Sequence, residues 1–288
     1  MEYEIQEVLT PEETGFEYHY RDHTEALGSS LINLAARCPS LLQRALIERE
    51  SVEEESKEID AYSLGTAWHN RRQHGAEKWK ENYRVVVPEE FEIAGGTKIS
   101  TKKDAKEWLS AQLPTADIVT RKNDEMLERM EELFWRNEVA AAIEGSPYKR
   151  EQSIKIKYGH WPFWLKCKPD LLSWDHSETN QLCLADYKTT RETTIDGFKR
   201  SVKKFGYGIS AVLYQTLCLD AGFDVGSMKF IVTSTETGVT WVVDLPEDYL
   251  RYQSYILRNT LDAVAKRWDT LKTEHWSPVQ TEILTLEI

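Results

Sequence analysis

The chain has no paired-cysteine motif: Cys38, Cys167, Cys183 and Cys218 are scattered, with no C-x-x-C and no cysteine–histidine spacing suited to a structural zinc. They read as reduced, packed thiols. No apolar run approaches the ~20 residues that span a bilayer, so a soluble protein with no membrane partner is the expectation. The opening MEYEIQEVLTPEETGFEYHY is acidic where a secretory signal would be basic and then apolar, which leads us to expect a cytoplasmic location. Neither an internal repeat nor a low-complexity linker interrupts the chain. Basic residues are outnumbered, 36 Lys and Arg against 48 Asp and Glu for a net charge of −12. That balance counts against a nucleic-acid partner, because general affinity for DNA comes from Lys and Arg neutralising phosphates.

Against these absences stand 288 residues, 41% of them hydrophobic, with ten Trp and thirteen Tyr, enough to build a sizeable core. The first half reads as helical. Ser29 to Ile47 suggests two short helices broken at Pro39, Leu64 to Trp79 another, and Lys102 to Leu113 and Asp124 to Ile143 two more. Between them NYRVVVPEEFEIAGG has the composition of a short strand or exposed loop. From Glu151 the period falls to two: QSIKIKYGHWPFWLKCKPDLLSW predicts a hairpin around Gly159, and QLCLADYK a strand buried on both faces. A helix over about Ile195 to Asp220, two strands (SMKFIVTSTE and GVTWVVDL) and a helix from Glu247 to Leu271 follow. The expected fold is α/β, a mixed central sheet flanked by helices, with residues 1–150 as a mainly helical N-terminal part and 151–288 as the core.

The chemistry concentrates in the stretch from Cys167 to Thr190. Side chains alternate along a strand, so Asp186 and Lys188 share a face while Tyr187 takes the other, and the same rule aligns Lys166, Lys168 and Asp170. If the two strands pair through the intervening loop, both aspartates and Lys188 meet at one end of the sheet. Two carboxylates at ~4 Å repel by about 4 kcal/mol at an effective dielectric near 20, so the arrangement calls for a cation. Oxygen ligands at a sheet end suit Mg²⁺ or Mn²⁺, which activate water and steady the charge that grows on a phosphate in an in-line displacement. Lys188 would orient the water or stabilise that charge. The plain alternative is a strand-end acid beside an ordinary Asp186–Lys188 ion pair, but an acid and a lysine at the end of an apolar strand are costly to bury without a role.

Pro169-Asp170, a loop, then Asp186-Tyr187-Lys188 resembles the PD-(D/E)xK nuclease superfamily. The surrounding residues resemble its RecE-type exodeoxyribonuclease branch. That branch has an upstream Glu, a K-x-R-P-D strand and a D-x-K-T-T strand; here stand Glu151, Lys166-Cys167-Lys168-Pro169-Asp170, and Asp186-Tyr187-Lys188-Thr189-Thr190. GSSLINLAARCPSLLQ is similar to the branch's S-x-L … S-P segment, and Leu64-Gly65-Thr66-Ala67-Trp68-His69 to its G-T-A-x-H helix, so the resemblance runs from about Ser29 to Asp220. It implies a restriction-endonuclease-like core, Glu151, Asp170 and Asp186 as metal ligands with the Tyr187 carbonyl a further one, Lys188 as the catalytic lysine, and His69 contacting metal or phosphate from the helical side. It also implies Mg²⁺ (with Mn²⁺ as a substitute), 5′-to-3′ digestion of linear double-stranded DNA from its ends, a ring-shaped homo-oligomer, and work beside a single-strand annealing protein in phage-type recombination.

The family's Y-x-x-Q-A-A-x-Y helix is matched by Tyr207 to Tyr214 with Ser210 in the glutamine's place and Gln215 just after; all four are candidate DNA contacts. Lys166, Lys168, Lys188, Arg191, Lys199, Arg200, Lys203 and Lys204 gather around the proposed site, so a local basic groove can hold DNA on an acidic protein. Two readings compete with a nuclease of this branch. One is a nuclease carrying an iron–sulfur cluster, which needs thiolate ligands that the region after Cys218 lacks. The other is a DNA-binding module that kept the fold and lost the chemistry, which the intact Glu151, Asp170, Asp186 and Lys188 set disfavours.

Overall fold

The computed structural model of the chain describes residues 4–9, 26–52, 64–91, 107–108, 111–112, 116–174 and 181–273. Its centre is a five-stranded mixed sheet of order β11-β10-β9-β8-β5, built from β5 (Pro147–Arg150), β8 (Leu171–Trp174), β9 (Leu182–Thr190), β10 (Val225–Ser234) and β11 (Thr240–Asp244). β9 and β10 run parallel and the other neighbours antiparallel. A second sheet of order β1-β6-β7-β2 joins Ile5–Leu9, Ile154–Tyr158, Trp164–Cys167 and Ala26–Leu27. The predicted hairpin around Gly159 is the β6–β7 pair of this sheet, with Ile154 opposite Cys167.

β9 is buried on both sides because its alternate residues enter two different cores. Leu182 and Leu184 pack with Phe230 under the helices Ser29–Arg37, Ile195–Phe205, Tyr207–Asp220 and Glu247–Ala265, represented by Leu31, Phe198, Leu213 and Leu257. Ala185 and Tyr187 pack with Ile231 under Leu64–His74, Arg121–Arg136 and Glu138–Gly145 through Trp68, Leu127, Phe134 and Ile143. Each fully buried leucine or phenylalanine contributes roughly 1.5–3 kcal/mol, so two cores hold the strand that carries Asp186 and Lys188. The helices Arg121–Arg136 and Glu138–Gly145, which precede the edge strand β5, pack directly on this sheet.

Three predicted helices are each two. The Ile195–Asp220 helix breaks at Gly206, which is left-handed (φ 69), and a Cβ there would lie 1.9 Å from the Asn33 Oδ1. Leu64–Trp79 breaks at Gly75, and Asp124–Ile143 at Asn137, whose side chain accepts from the Ala140 N–H and starts a new helix. The break expected at Pro39 separates Ser29–Arg37 from Pro39–Val52. The helix expected over Lys102 to Leu113 lies largely outside the described residues.

One alignment expected from alternation does not form. Lys166 and Asp170 do not share a strand: β7 ends at Cys167, and the chain crosses through Lys168 and Pro169 into the other sheet, where β8 begins at Leu171. Pro169 has no N–H to give to a ladder, which makes it a natural place for the crossing.

Candidate active site

Antiparallel pairing of β8 with β9 sets Leu171 opposite Ala185, so Asp170 and Asp186 stand at the same end of the central sheet. The Tyr187 N–H donates to Asp170 Oδ2 at 2.6 Å, holding the carboxylate across the end of β8. In a strand the N–H and C=O of one residue face the same neighbour, so the Tyr187 carbonyl also faces the Asp170 side. Glu151 follows β5 and has φ 50, the only positive φ of a non-glycine among the described residues. Its N–H donates to the Asp170 carbonyl at 3.1 Å. A left-handed glutamate is strained by about 1–3 kcal/mol, and here the turn brings its carboxylate beside Asp170 instead of continuing the strand.

His69 reaches the same point from the helix Leu64–His74, whose Ala67 and Trp68 are buried against the Ala185 and Tyr187 face of the sheet. Its Nε2 lies 3.1 Å from Glu151 Oε1 and 3.6 Å from Asp170 Oδ1. One ligand atom from each of the three residues falls within 4.8 Å of the others. Asp186, 4% exposed, stands on the other side of β9 from the Tyr187 side chain and pairs with the Lys188 ammonium. Lys188 also lies over the rings of Tyr207 and Phe230, at 5.3 and 6.0 Å from their centroids.

The electrostatics are those of acids crowded out of water. Burial first, and then the neighbouring Asp186 charge, raise Asp170 from 3.8 to about 7. Burial pushes His69 down, but the Glu151 hydrogen bond and the Asp170, Glu151 and Asp186 charges outweigh it, leaving the imidazole easier to protonate than usual. For Glu151 burial acts upward and is overcome by His69 and Lys168, so its carboxyl is held below the ordinary range. Lys188 is opposed by burial yet raised on balance by Asp186 and Asp170, and it stays a cation. The Glu151 and Asp170 carboxylates and the Tyr187 carbonyl are oxygen donors of the kind a hard divalent cation takes, with the His69 imidazole against them.

A carboxyl raised by folding contributes stability that is present below its unfolded pKa and is lost as pH rises through its folded one. In EDTA, wild type should lose melting temperature relative to Asp170→Asn between about pH 4 and 7, the window set by the shift of Asp170 from 3.8 to about 7. Parallel pH profiles of the two proteins would contradict this.

Sequence reasoning missed the support behind the site. The Tyr187 hydroxyl donates to Glu144, which also accepts from Arg150 Nη2 at 2.8 Å, and Arg150 Nη1 donates to the Arg72 carbonyl at 3.4 Å. Glu144 is 8% exposed. This network ties the strand residue between Asp186 and Lys188 to the residue before Glu151. The one local signal was Arg150, adjacent to a candidate ligand; nothing in the sequence marked Glu144.

The expected DNA contacts divide. Lys166, 3% exposed, lies in β7 opposite Lys155 and presents no ammonium to a DNA backbone, a correction that follows from the change of sheet at Pro169. Lys168 pairs with Glu151, inside the site. Arg191, Lys203 and Lys204 are exposed. Lys199 pairs with Asp196 at 2.7 Å and Arg200 with Glu192 at 3.6 Å, which reduces the basic groove. Tyr207, Ser210, Tyr214 and Lys188 line a pocket of about 330 Å³, whose other side is the helix Ser29–Arg37; Gln215 is not among its lining residues. No group of cysteines gathers in metal-binding geometry among the described residues, so nothing supports the iron–sulfur reading.

No protein-family profile and no curated protein matches the chain. Among solved structures, the fold is similar to that of a putative exonuclease from Eubacterium rectale, with a TM-score of 0.53 and 12% identity over 95% of both chains. SSO0001 (TM-score 0.29, 13% identity, 72% of this chain and 85% of that one) and Rai1 from Scheffersomyces stipitis (0.28, 12%, 87% and 72%) are more distant in fold. The likeness to the Eubacterium rectale protein is one of fold: a mixed α/β core with a helical N-terminal part.

Proposed function

We propose that the protein is a Mg²⁺-dependent deoxyribonuclease of the PD-(D/E)xK type, with Mn²⁺ as a substitute metal. The observation that carries this reading is the convergence of His69, Glu151 and Asp170 within 4.8 Å, beside an ion pair of buried Asp186 with half-buried Lys188 at the end of β8 in the central sheet. The fold shared with a putative exonuclease supports it. Glu151, Asp170, Asp186 and the Tyr187 carbonyl would hold the metal. When bound, it would supply Lewis acidity toward a phosphate oxygen and a lowered pKa for a water.

The chain's own residues account for the rest. Lys188 stays charged and lines the pocket, so it acts as a donor and a positive charge toward a phosphate oxygen rather than as a base. Asp186 holds that ammonium in place. His69, set between Glu151 and Asp170, keeps both carboxylates turned inward and offers a proton at Nε2. His69→Ala should lower the hydrolysis rate by something like 10²–10⁴-fold, as expected for one lost positioning or proton-transfer group. Single-turnover rates equal to wild type would remove His69 from the machinery.

The RecE-type resemblance of the sequence extends the proposal to a cytoplasmic 5′-to-3′ exonuclease acting on linear duplex ends, as a ring-shaped homo-oligomer, with a single-strand annealing protein in phage-type recombination. Incubating linear and circular duplex DNA with the protein, with Mg²⁺ or with EDTA, tests it. Loss of linear DNA alone and only with Mg²⁺ is the expected result. Nicked circles would make it an endonuclease, and no loss of either substrate would leave a DNA-binding module.

A further inference from the structure

Phe205 is large, apolar and 47% exposed, yet it lies at a place the fold defines closely. It is the last residue of the helix Ile195–Phe205, and the left-handed Gly206 that follows is held against Asn33, where no Cβ would fit. The turn fixes the direction in which Phe205 leaves the helix. Its ring stacks on Tyr207, with centroids 5.7 Å apart and an interplanar angle of 27°, and Tyr207 in turn lies against Lys188. The Lys204 ammonium is 5.2 Å from the Phe205 ring centroid. Phe205 and Tyr207 both line the 330 Å³ pocket that also contains Lys188. Across it, the helix Ser29–Arg37 presents Ser29, Ser30, Asn33 and Arg37.

The pocket therefore has an aromatic side that leads to the half-buried Lys188 ammonium and a side of hydroxyl, amide and guanidinium groups. A nucleotide has the same division, an apolar base face beside a polar sugar and a charged phosphate. Other exposed aromatics lack that setting: Tyr252 and Tyr255 project from the helix Glu247–Ala265 and line no described pocket, and Trp174 packs on Tyr148. An isolated exposed phenylalanine would need no explanation; one stacked in series with a tyrosine against the candidate catalytic lysine does.

We infer that Phe205 is a base-stacking residue, which receives the nucleobase of the nucleotide next to the phosphate held at Lys188 while Tyr207 backs its ring. The inference rests on the nuclease reading and adds to it a contact to the base, beside the exposed cations Arg191 and Lys203. Stacking on a π-face is tolerant of sequence, so the contact grips DNA ends without selecting a base.

The test uses Phe205→Ala and Phe205→Tyr on duplexes with ordinary ends and on duplexes whose last three nucleotides on each strand are abasic. Phe205→Ala should raise KM on ordinary ends roughly tenfold or more, Phe205→Tyr should restore it, and on abasic ends wild type and Phe205→Ala should agree. An equal loss on both substrates, or no loss on ordinary DNA, overturns the assignment. A second readout is independent of hydrolysis. In EDTA, wild type should quench 2-aminopurine placed in the last three nucleotides, and Phe205→Ala should not. If wild type degrades no DNA with Mg²⁺, the nuclease reading fails while the quenching experiment still decides the stacking. Absent or equal quenching refutes it.

Discussion

Replacing Lys188 by alanine should reduce the proposed phosphodiester hydrolysis by roughly 10³-fold or more while leaving Mg²⁺ and DNA binding largely intact, the loss expected when a preorganised charge aimed at the transition state is removed. The expectation comes from its place in the structure. Lys188 belongs to a nine-residue strand buried in two cores, and its side chain emerges 25% exposed between Asp186 and the pocket. It sits over Tyr207 and Phe230, whose faces favour a cation. Burial lowers its pKa, but the Asp186 and Asp170 charges outweigh that and raise it, so Lys188 acts as a positive charge rather than as a base. Single-turnover hydrolysis and equilibrium DNA binding separate the two effects. Hydrolysis within tenfold of wild type would sink the role of Lys188, and a parallel loss of binding would make it an affinity contact instead.

Asp186→Asn should leave the metal-free protein at least as stable as wild type, flatten its response to Mg²⁺ and eliminate nuclease activity. At the site, the carboxylates of Glu151, Asp170 and Asp186 face the ammonium groups of Lys168 and Lys188, so with a neutral His69 there is one negative charge in excess. Burial first, and then the Asp186 charge, hold the Asp170 carboxyl up at about 7. Asparagine keeps the size and removes one charge, and Lys188 retains the Asp170 charge as a partner. A cation that binds only the folded state raises stability in proportion to the logarithm of its concentration, and the mutant should lose most of that rise. If Asp186 served only as the lysine's ion-pair partner, its loss would strand a mostly buried ammonium and cost up to ~3 kcal/mol or more. Melting both proteins in EDTA and across a Mg²⁺ titration decides between the two: a mutant that melts clearly lower in EDTA and keeps the full Mg²⁺ response would defeat the metal site.

Much of this was present in one dimension. Alternation along QLCLADYK set Asp186 and Lys188 on one face and Tyr187 on the other, and the short spacing from Asp170 let a hairpin bring the two aspartates to one sheet end. Both rules are local: the pleat has period two, and a loop of a few residues can only return the chain beside itself. Helix content was legible for the same reason, although the breaks at Gly75, Asn137 and Gly206 were read through as continuous helix, because the apolar pattern resumes on either side of each.

What the tertiary structure alone decided are the relations between distant segments. Alternation put Lys166 in line with Asp170, but long-range pairing assigns their strands to different sheets and buries Lys166 opposite Lys155. The positive φ of Glu151 has no local signature, since glutamate does not favour it; the hydrogen bond to Asp170 and the contact with His69, 82 residues earlier, hold it there. Glu144 behind Tyr187 and Phe205 stacked beside Tyr207 are likewise products of packing. The sequence determined which chemical groups the chain owns and which of them share a strand face, because those depend on covalent geometry and a period of two. Which groups are buried, paired or strained was left to the fold, because those depend on the side chains that other elements bring within a few ångströms.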